Sequence, residues 1–148
     1  MRSWRHARFI REQQAGPIVE FAIIVPVLLL LLFGVIELAW AFSRRSLLVT
    51  ATREAARYGA TLSNPCGANA AIRAELNRRL PVARPDTVPW ANIEVKAPGT
   101  TTAGCTLVGD TVVVRVTSYP YRPVIGLAAP VVRAINLKAS AVFFWERR

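Results

Sequence analysis

Along this chain, apolar and polar positions alternate in short rhythms everywhere except in one long stretch. From Ile18 to Phe42 the only ionisable residues are Glu20 and Glu37. As a helix this stretch measures roughly 37 Å at about 1.5 Å per residue, enough to cross a bilayer core of about 30 Å with some tilt. Pro17 suits the first helical turn, where a missing N–H costs nothing, and Pro26 falls inside the run, where it could kink the helix. A cleaved secretory signal has a shorter apolar run ending in a small-x-small site. Here the run continues to Trp40 and Phe42 and then meets Arg44 and Arg45. The pattern predicts a retained membrane span.

Beyond Arg45 the periodicity becomes that of an amphipathic stalk helix. Leu47, Leu48, Ala51, Ala55, Tyr58 and Leu62 recur near helical spacing, with Arg53, Glu54 and Arg57 turned to water. Gly59 is a local stop signal, and Asn64-Pro65 ends the element. A second amphipathic helix fits Asn69 to Leu80, with Asn69 as its cap and Ile72, Leu76 and Leu80 at i, i+4 and i+8. Pro81, Pro85 and Pro89 mark a loop. A short strand follows at Ala91 to Ala97, then a turn-rich loop at Pro98 to Gly104. The β-branched run Thr111 to Tyr119 is the clearest strand. Pro120 to Pro130 is Pro-rich and apolar and is expected to wander across the domain. In the last strand, Leu137 to Trp145, Leu137, Ala139, Ala141, Phe143 and Trp145 alternate with Lys138, Ser140, Val142 and Phe144.

This order predicts an α+β fold: one N-terminal transmembrane helix continuing into the stalk, then a small domain with a helix packed on an antiparallel sheet of three to four strands. The expected organisation is a basic leader or tail at 1–15, the transmembrane and stalk helix at 16–62 with the span at about 18–42, and an exported α+β domain at 63–148.

The 148 residues carry a net charge of +10. Arg2, Arg5, Arg8 and Arg11 precede the span, and Arg44, Arg45, Arg53 and Arg57 follow it. The positive-inside rule therefore favours a cytoplasmic N-terminus only weakly. The remaining basic residues are scattered and not interleaved with aromatics, which describes a solvated basic surface; no nucleic acid is expected as a partner. Cys66 and Cys105 lie in Gly-flanked, loop-like sequence with no metal-ligand spacing around them. In an oxidising compartment they would pair, closing a loop of about 40 residues and stabilising the domain by roughly 3–4 kcal/mol; two free thiols are the alternative. Such a bond, together with the short N-terminal tail, supports a cytoplasmic N-terminus and an exported domain.

Catalytic chemistry has little to build on. His6 is the sole histidine and precedes the span, and no nucleophile elbow, P-loop, zincin or dinucleotide motif is present. Glu75, Asp86, Glu94 and Asp110 are dispersed. Neither an enzyme activity, a cofactor, a metal nor a small-molecule substrate is expected. The residue that demands an account is Glu20. A carboxylate at the centre of a membrane helix costs about 2.5–3.5 kcal/mol, and less near the interface. Glu20 either reaches the interface or meets a buried cation. Glu37 is roughly 25 Å further along the axis and on a different face, so the two do not form a pair.

The run Ala15-Gly16-Pro17-Ile18-Val19-Glu20-Phe21-Ala22-Ile23-Ile24-Val25-Pro26, the leucines after it and Gly34-Val35-Ile36-Glu37 resemble the N-terminal signature of the TadE/TadG-like family. These are minor pilin-like proteins of bacterial Tad (Flp, type IVc) pilus assembly systems. The segment Ala51-Thr52-Arg53-Glu54-Ala55-Ala56-Arg57-Tyr58-Gly59-Ala60 is similar to that family's post-membrane helix, and Tyr119-Pro120-Tyr121-Arg122-Pro123 after a Val-rich strand also suits it. The short length leans toward the TadE-like branch. The resemblance implies a minor pseudopilin of the pilus or secretion apparatus, single-pass in the bacterial inner membrane, with a cytoplasmic N-terminus and a periplasmic domain. Implied partners are other pilin-like subunits, inner-membrane pilus assembly proteins and a prepilin peptidase. The peptidase would cut at Ala15–Gly16, which places Glu20 fifth in the mature chain; a cut after Gly16 would make Pro17 first, and no cut at all is the other possibility. Glu20, Phe21 and Glu37 are then the expected assembly residues, with Glu20 attracting the terminal amine of a neighbouring subunit. Two other readings remain: a bitopic envelope protein whose basic domain binds an anionic ligand, and a membrane-tethered enzyme.

Overall fold

The computed structural model describes residues 15–80, 87–121, 123 and 135–145. The basic leader before Ala15, most of the loop around Pro81 and Pro85, and most of Pro120 to Pro130 lie outside the described residues. The chain divides into two compact units between Ala39 and Trp40.

Helix α1 is 46 residues long, Ala15–Ala60, and runs through Pro26 without a break in its assignment. Within the second unit its final turns bury a stripe made of Leu48, Ala51, Thr52, Ala55, Ala56 and Gly59. The spacing of three and one is that of a single helical face. This stripe corrects the expected face: Leu47 and Tyr58 are 39% and 38% exposed, and Leu62 is only half-buried. Small side chains occupy the seam because they let the helix backbone approach its neighbours closely, so residue size was a poor guide to phase. Thr52 enters the core without an orphan hydroxyl, since its Oγ1 donates to the Leu48 carbonyl at 2.7 Å. α1 ends at Ala60, one residue past the Gly59 stop signal. A Cβ at Gly59 would sit 2.9 Å from both Ile72 Cδ1 and Val112 Cγ1, so the glycine marks the closest approach.

Helix α2, Asn69–Arg79, buries Ile72 and Leu76, with Leu80 just beyond its end, as the i, i+4, i+8 spacing predicts. Ala68 holds the cap position and makes no side-chain cap bond. Asn69 is therefore the first helical residue and not the cap. On the same helix Arg78 Nε and Nη2 donate to Glu75 at 2.7 and 2.8 Å, and Arg79 Nε donates to it at 2.7 Å. These bonds hold the Glu75 carboxyl below its ordinary range and raise the Arg78 guanidinium in turn.

Four strands form one sheet in the order β2-β1-β3-β4: β1 Ile93–Lys96, β2 Cys105–Thr106, β3 Thr111–Pro120 and β4 Asn136–Phe144. A 3-10 turn, Trp90–Asn92, leads into β1. Strands β1, β3 and β4 are antiparallel neighbours, with Ile93 opposite Val116 and Val116 opposite Ala139. The two-residue β2 pairs parallel to β1, so the sheet is mixed and not wholly antiparallel. Its buried face carries Ile93 and Val95, Val112, Val114 and Val116, and Leu137, Ala139 and Ala141; these meet the α1 seam and α2 in one core. Burial alternates with period 2 along β1, along β4 to Ala141 and along β3 as far as Val116, where the register shifts before Tyr119. At the end of β4 the Trp145 backbone N–H donates to the Asp110 carbonyl, and its indole Nε1 donates to the Leu62 carbonyl at 2.8 Å.

Candidate functional site

Among the described residues of the first unit no apolar side chain is buried. Leu28, Leu29, Leu30, Leu31 and Leu32 are 60%, 42%, 62%, 65% and 51% exposed. Successive helical residues turn by about 100°, so five in a row sample every direction around the axis. The apolar surface is therefore exposed on all sides, which is the pattern of a helix meant for lipid or for other helices. Among the described residues one helix is long and apolar enough to cross a membrane, and none of its most apolar window is buried. This accords with a single-pass membrane protein.

Ala15 opens α1; Gly16, Ile18, Glu20 and Phe21, each exposed, follow within its first two turns. A Cβ at Gly16 would meet nothing within 4 Å. Glu37 is different: it is buried, at 5% exposure. The seventeen positions separating it from Glu20 amount to roughly 25 Å of helix, so the two carboxylates are not brought together.

Cys66 and Cys105 are brought together, as a disulfide with Cα atoms 5.7 Å apart. The bond is the centre of a latch between the turn before α2 and the loop 98–106. Cys66 N–H donates to the Pro98 carbonyl at 3.1 Å, and Thr102 Oγ1 donates to the Cys66 carbonyl at 2.8 Å. Asn64 Oδ1 accepts from the backbone N–H of Gly67 and of Thr100, both at 2.9 Å. Asn69 Nδ2 donates to Thr102 Oγ1 and to the Ala103 carbonyl. Arg73 closes the far end, donating from Nη1 to the Trp90 carbonyl at 2.9 Å and from Nη2 to the Gly104 carbonyl at 2.7 Å. Burial lowers the Arg73 guanidinium from its ordinary value, although two carbonyls still accept from it. Gly99 and Gly104 have φ of +115° and +80°, which the loop needs and other residues resist. Sequence reasoning named the cysteines, gave Asn64 and Asn69 other roles as a helix end and a helix cap, and did not single out Thr102 or Arg73. The Asn-Pro-Cys-Gly and Gly-Cys-Thr turn signals were the available hint.

Among the described residues no three His, Cys, Asp or Glu side chains gather where they could hold a metal. The second unit is thus closed by a disulfide, and the first exposes its apolar side chains.

Comparison with curated proteins gave no match, and comparison with solved structures gave none. A family model does match, over residues 18–57, about a quarter of the chain. Its range takes in the exposed apolar helix and most of the buried seam that follows, and agrees with the resemblance carried by residues 15–60. The segment from Ile18 to Arg57 is thus identified by its match to the TadE-like protein family, a structural family associated with the Tad pilus.

Proposed function

We propose that this protein is a minor pseudopilin-like component of a Tad (Flp, type IVc) pilus or secretion apparatus. The reading rests chiefly on one coincidence: the TadE-like match falls on the helix whose apolar side chains are exposed in every direction. Such a helix can pack with pilin-like subunits and with inner-membrane assembly proteins while the domain makes its own contacts outside the membrane. The N-terminus is cytoplasmic and the domain periplasmic, an orientation that suits the Cys66–Cys105 bond because disulfides persist in oxidising compartments. A prepilin peptidase removes the leader between Ala15 and Gly16. The new terminal amine then lies near the carboxylate of a neighbouring subunit's Glu20, which supplies the cation that a carboxylate in an apolar setting needs.

Deleting the protein in its host and restoring it as the native chain or as Glu20→Ala tests this. The native chain should restore piliation and recover pilin-like membrane partners in a pull-down, and Glu20→Ala should do neither. Normal piliation after deletion, with salt-dependent retention of the domain on an anionic polymer, would favour the bitopic ligand-binding reading. N-terminal sequencing of the purified membrane form tests processing separately, and a chain still beginning at Met1 or Arg2 would overturn it.

A further inference from the structure

The sheet ends in two unlike edges. On one side β2 is two residues long, and one of the two is the disulfide-bonded Cys105. On the other side β4 runs for nine residues, roughly 30 Å at about 3.4 Å per residue, and no described strand lies beyond it. Two bonds show which of its backbone groups face outward. Just before β4, the Ile135 carbonyl accepts from the Tyr121 N–H, and just after it the Trp145 N–H donates to the Asp110 carbonyl. In an antiparallel strand each residue turns its N–H and C=O to the same side, and that side alternates along the chain. Leu137, Ala139, Ala141 and Phe143 therefore turn to β3. Lys138, Ser140, Val142 and Phe144 turn their N–H and C=O to the open edge. The same four residues carry exposed side chains on the sheet face away from the core.

A long, regular edge is a template for another strand unless something blunts it. Proline is absent from Asn136 to Phe144, and the register is regular from Ala139 to Phe144. Val142 and Phe144 are 58% and 81% exposed. Lys138 is the only charged residue of β4, and Arg115 lies opposite Ser140 on the same outer face. Neither β3 nor β4 contains a carboxylate; Glu94 approaches Arg115 only to 4.0 Å in an exposed pair, and Asp110 stands at the other end, beside Trp145. We infer that the β4 edge receives an extended acidic segment of another protein as an added strand. A carboxylate of that segment lies beside Lys138, and apolar side chains lie beside Val142 and Phe144. Opposite charges and apolar pairs on neighbouring strands each strengthen such pairing. A second copy of this chain is the poorer occupant, because a net charge of +10 on each copy opposes self-association. The edge belongs to the second unit alone, so it acts with or without a part in a pilus.

The test titrates the full chain in neutral detergent with a fluorescent peptide of valine and threonine, matched to β4 in length and carrying two glutamates toward one end, read by anisotropy. A second peptide has every backbone nitrogen methylated, which keeps its charge and removes its ladder donors. A third carries lysines in place of the glutamates. The glutamate peptide should bind, and the methylated one should bind at least about tenfold more weakly. Ser140→Pro removes an outward N–H and no bond to β3, and should weaken the glutamate peptide by at least about tenfold. Lys138→Glu should weaken the glutamate peptide about fivefold and tighten the lysine peptide by a similar factor. Arg53→Glu makes the same charge change at an exposed position of α1 and should leave both unchanged. Equal binding of the methylated peptide, native-like binding by Ser140→Pro, or equal affinity for the glutamate and lysine peptides would overturn the proposal. Dimers in sedimentation that Ser140→Pro separates would overturn it too, because the occupant would then be a second copy. The methylated peptide probes the ladder on the native chain, so the outcome holds even if Ser140→Pro fails to fold.

Discussion

Gly59 sets two opposing effects against each other, and replacing it by alanine shows which one wins. In the interior of a helix, alanine is favoured over glycine by about 0.8–1 kcal/mol. At this position, however, the new methyl would lie 2.9 Å from Ile72 Cδ1 and 2.9 Å from Val112 Cγ1. Ile72 offers the end of a flexible side chain, but Val112 is β-branched, fully buried and fixed in the central strand β3. Overpacking of this kind costs about 1–3 kcal/mol. The expected net result for Gly59→Ala is destabilisation by about 1 kcal/mol. Removing Cδ1 with Ile72→Val should cost about 0.5–1.5 kcal/mol in the native chain, and less by at least about 0.5 kcal/mol once Ala occupies position 59. The assay is a urea titration of the full chain in neutral detergent, followed by tryptophan fluorescence. Trp145 is a suitable reporter because its indole is bonded to the Leu62 carbonyl two residues past α1. For urea slopes of about 1–3 kcal/mol/M, the single change should move the midpoint down by about 0.3–1 M. A rise in the midpoint, or strict additivity of the two substitutions, would refute the close-approach argument.

Replacing both cysteines by alanine should lower stability in the same titration by up to about 4 kcal/mol, the chain-entropy value for a loop of about 40 residues, and a loss under about 1 kcal/mol would show that the latch hydrogen bonds suffice. Asn77 Nδ2 donates to the Val88 carbonyl at 3.2 Å and its Oδ1 accepts from the Val88 N–H at 2.8 Å. Because Val88 is buried, Asn77→Ala should cost about 1–3 kcal/mol by stranding those groups, and an unchanged midpoint would refute this. Glu75 is held below its ordinary value of about 4.5, so its contribution is complete above that pH and is lost as pH falls through the lower folded value. The acid-side decline of the urea midpoint should therefore be shallower in Glu75→Gln than in the native chain; identical profiles would remove Glu75 from the acid response.

The parts of the fold legible in the sequence are those governed by local period. Ile72, Leu76 and Leu80 announce their helix, and Val112, Val114 and Val116 their strand, because burial on one face repeats at the period of the element itself. The apolar span was legible for the same reason, since nothing local competes with its composition. What stayed hidden depends on residues far away in the chain. Asn69 has the chemistry of a cap, yet its amide is taken by Thr102 and Ala103, more than thirty residues later. Strand β2 has two residues, too few for any period, and exists because the disulfide and the Thr102 bonds bring it beside β1. The seam of α1 was legible in part: Leu48, Ala51 and Ala55 were expected in it and are buried, whereas Leu47 and Tyr58 stand exposed and Thr52, Ala56 and Gly59 fill it, because close packing selects small residues. Of the candidate site, the helix and the cysteines were readable.

The Cys66–Cys105 bond also reroutes any mechanical load on this chain. A pull entering through α1 and leaving through β4 passes from residue 66 to residue 105 by way of the two sulfur atoms. Helix α2 and strand β1 lie between those positions and carry none of the tension. The 39-residue separation they occupy represents roughly 130 Å of contour length withheld from extension. In a single-molecule stretching experiment the reduced chain should lengthen by about that much more than the oxidised one. A subunit anchored at one end and tugged at the other would thus keep a short tether even after β3 and β4 had given way.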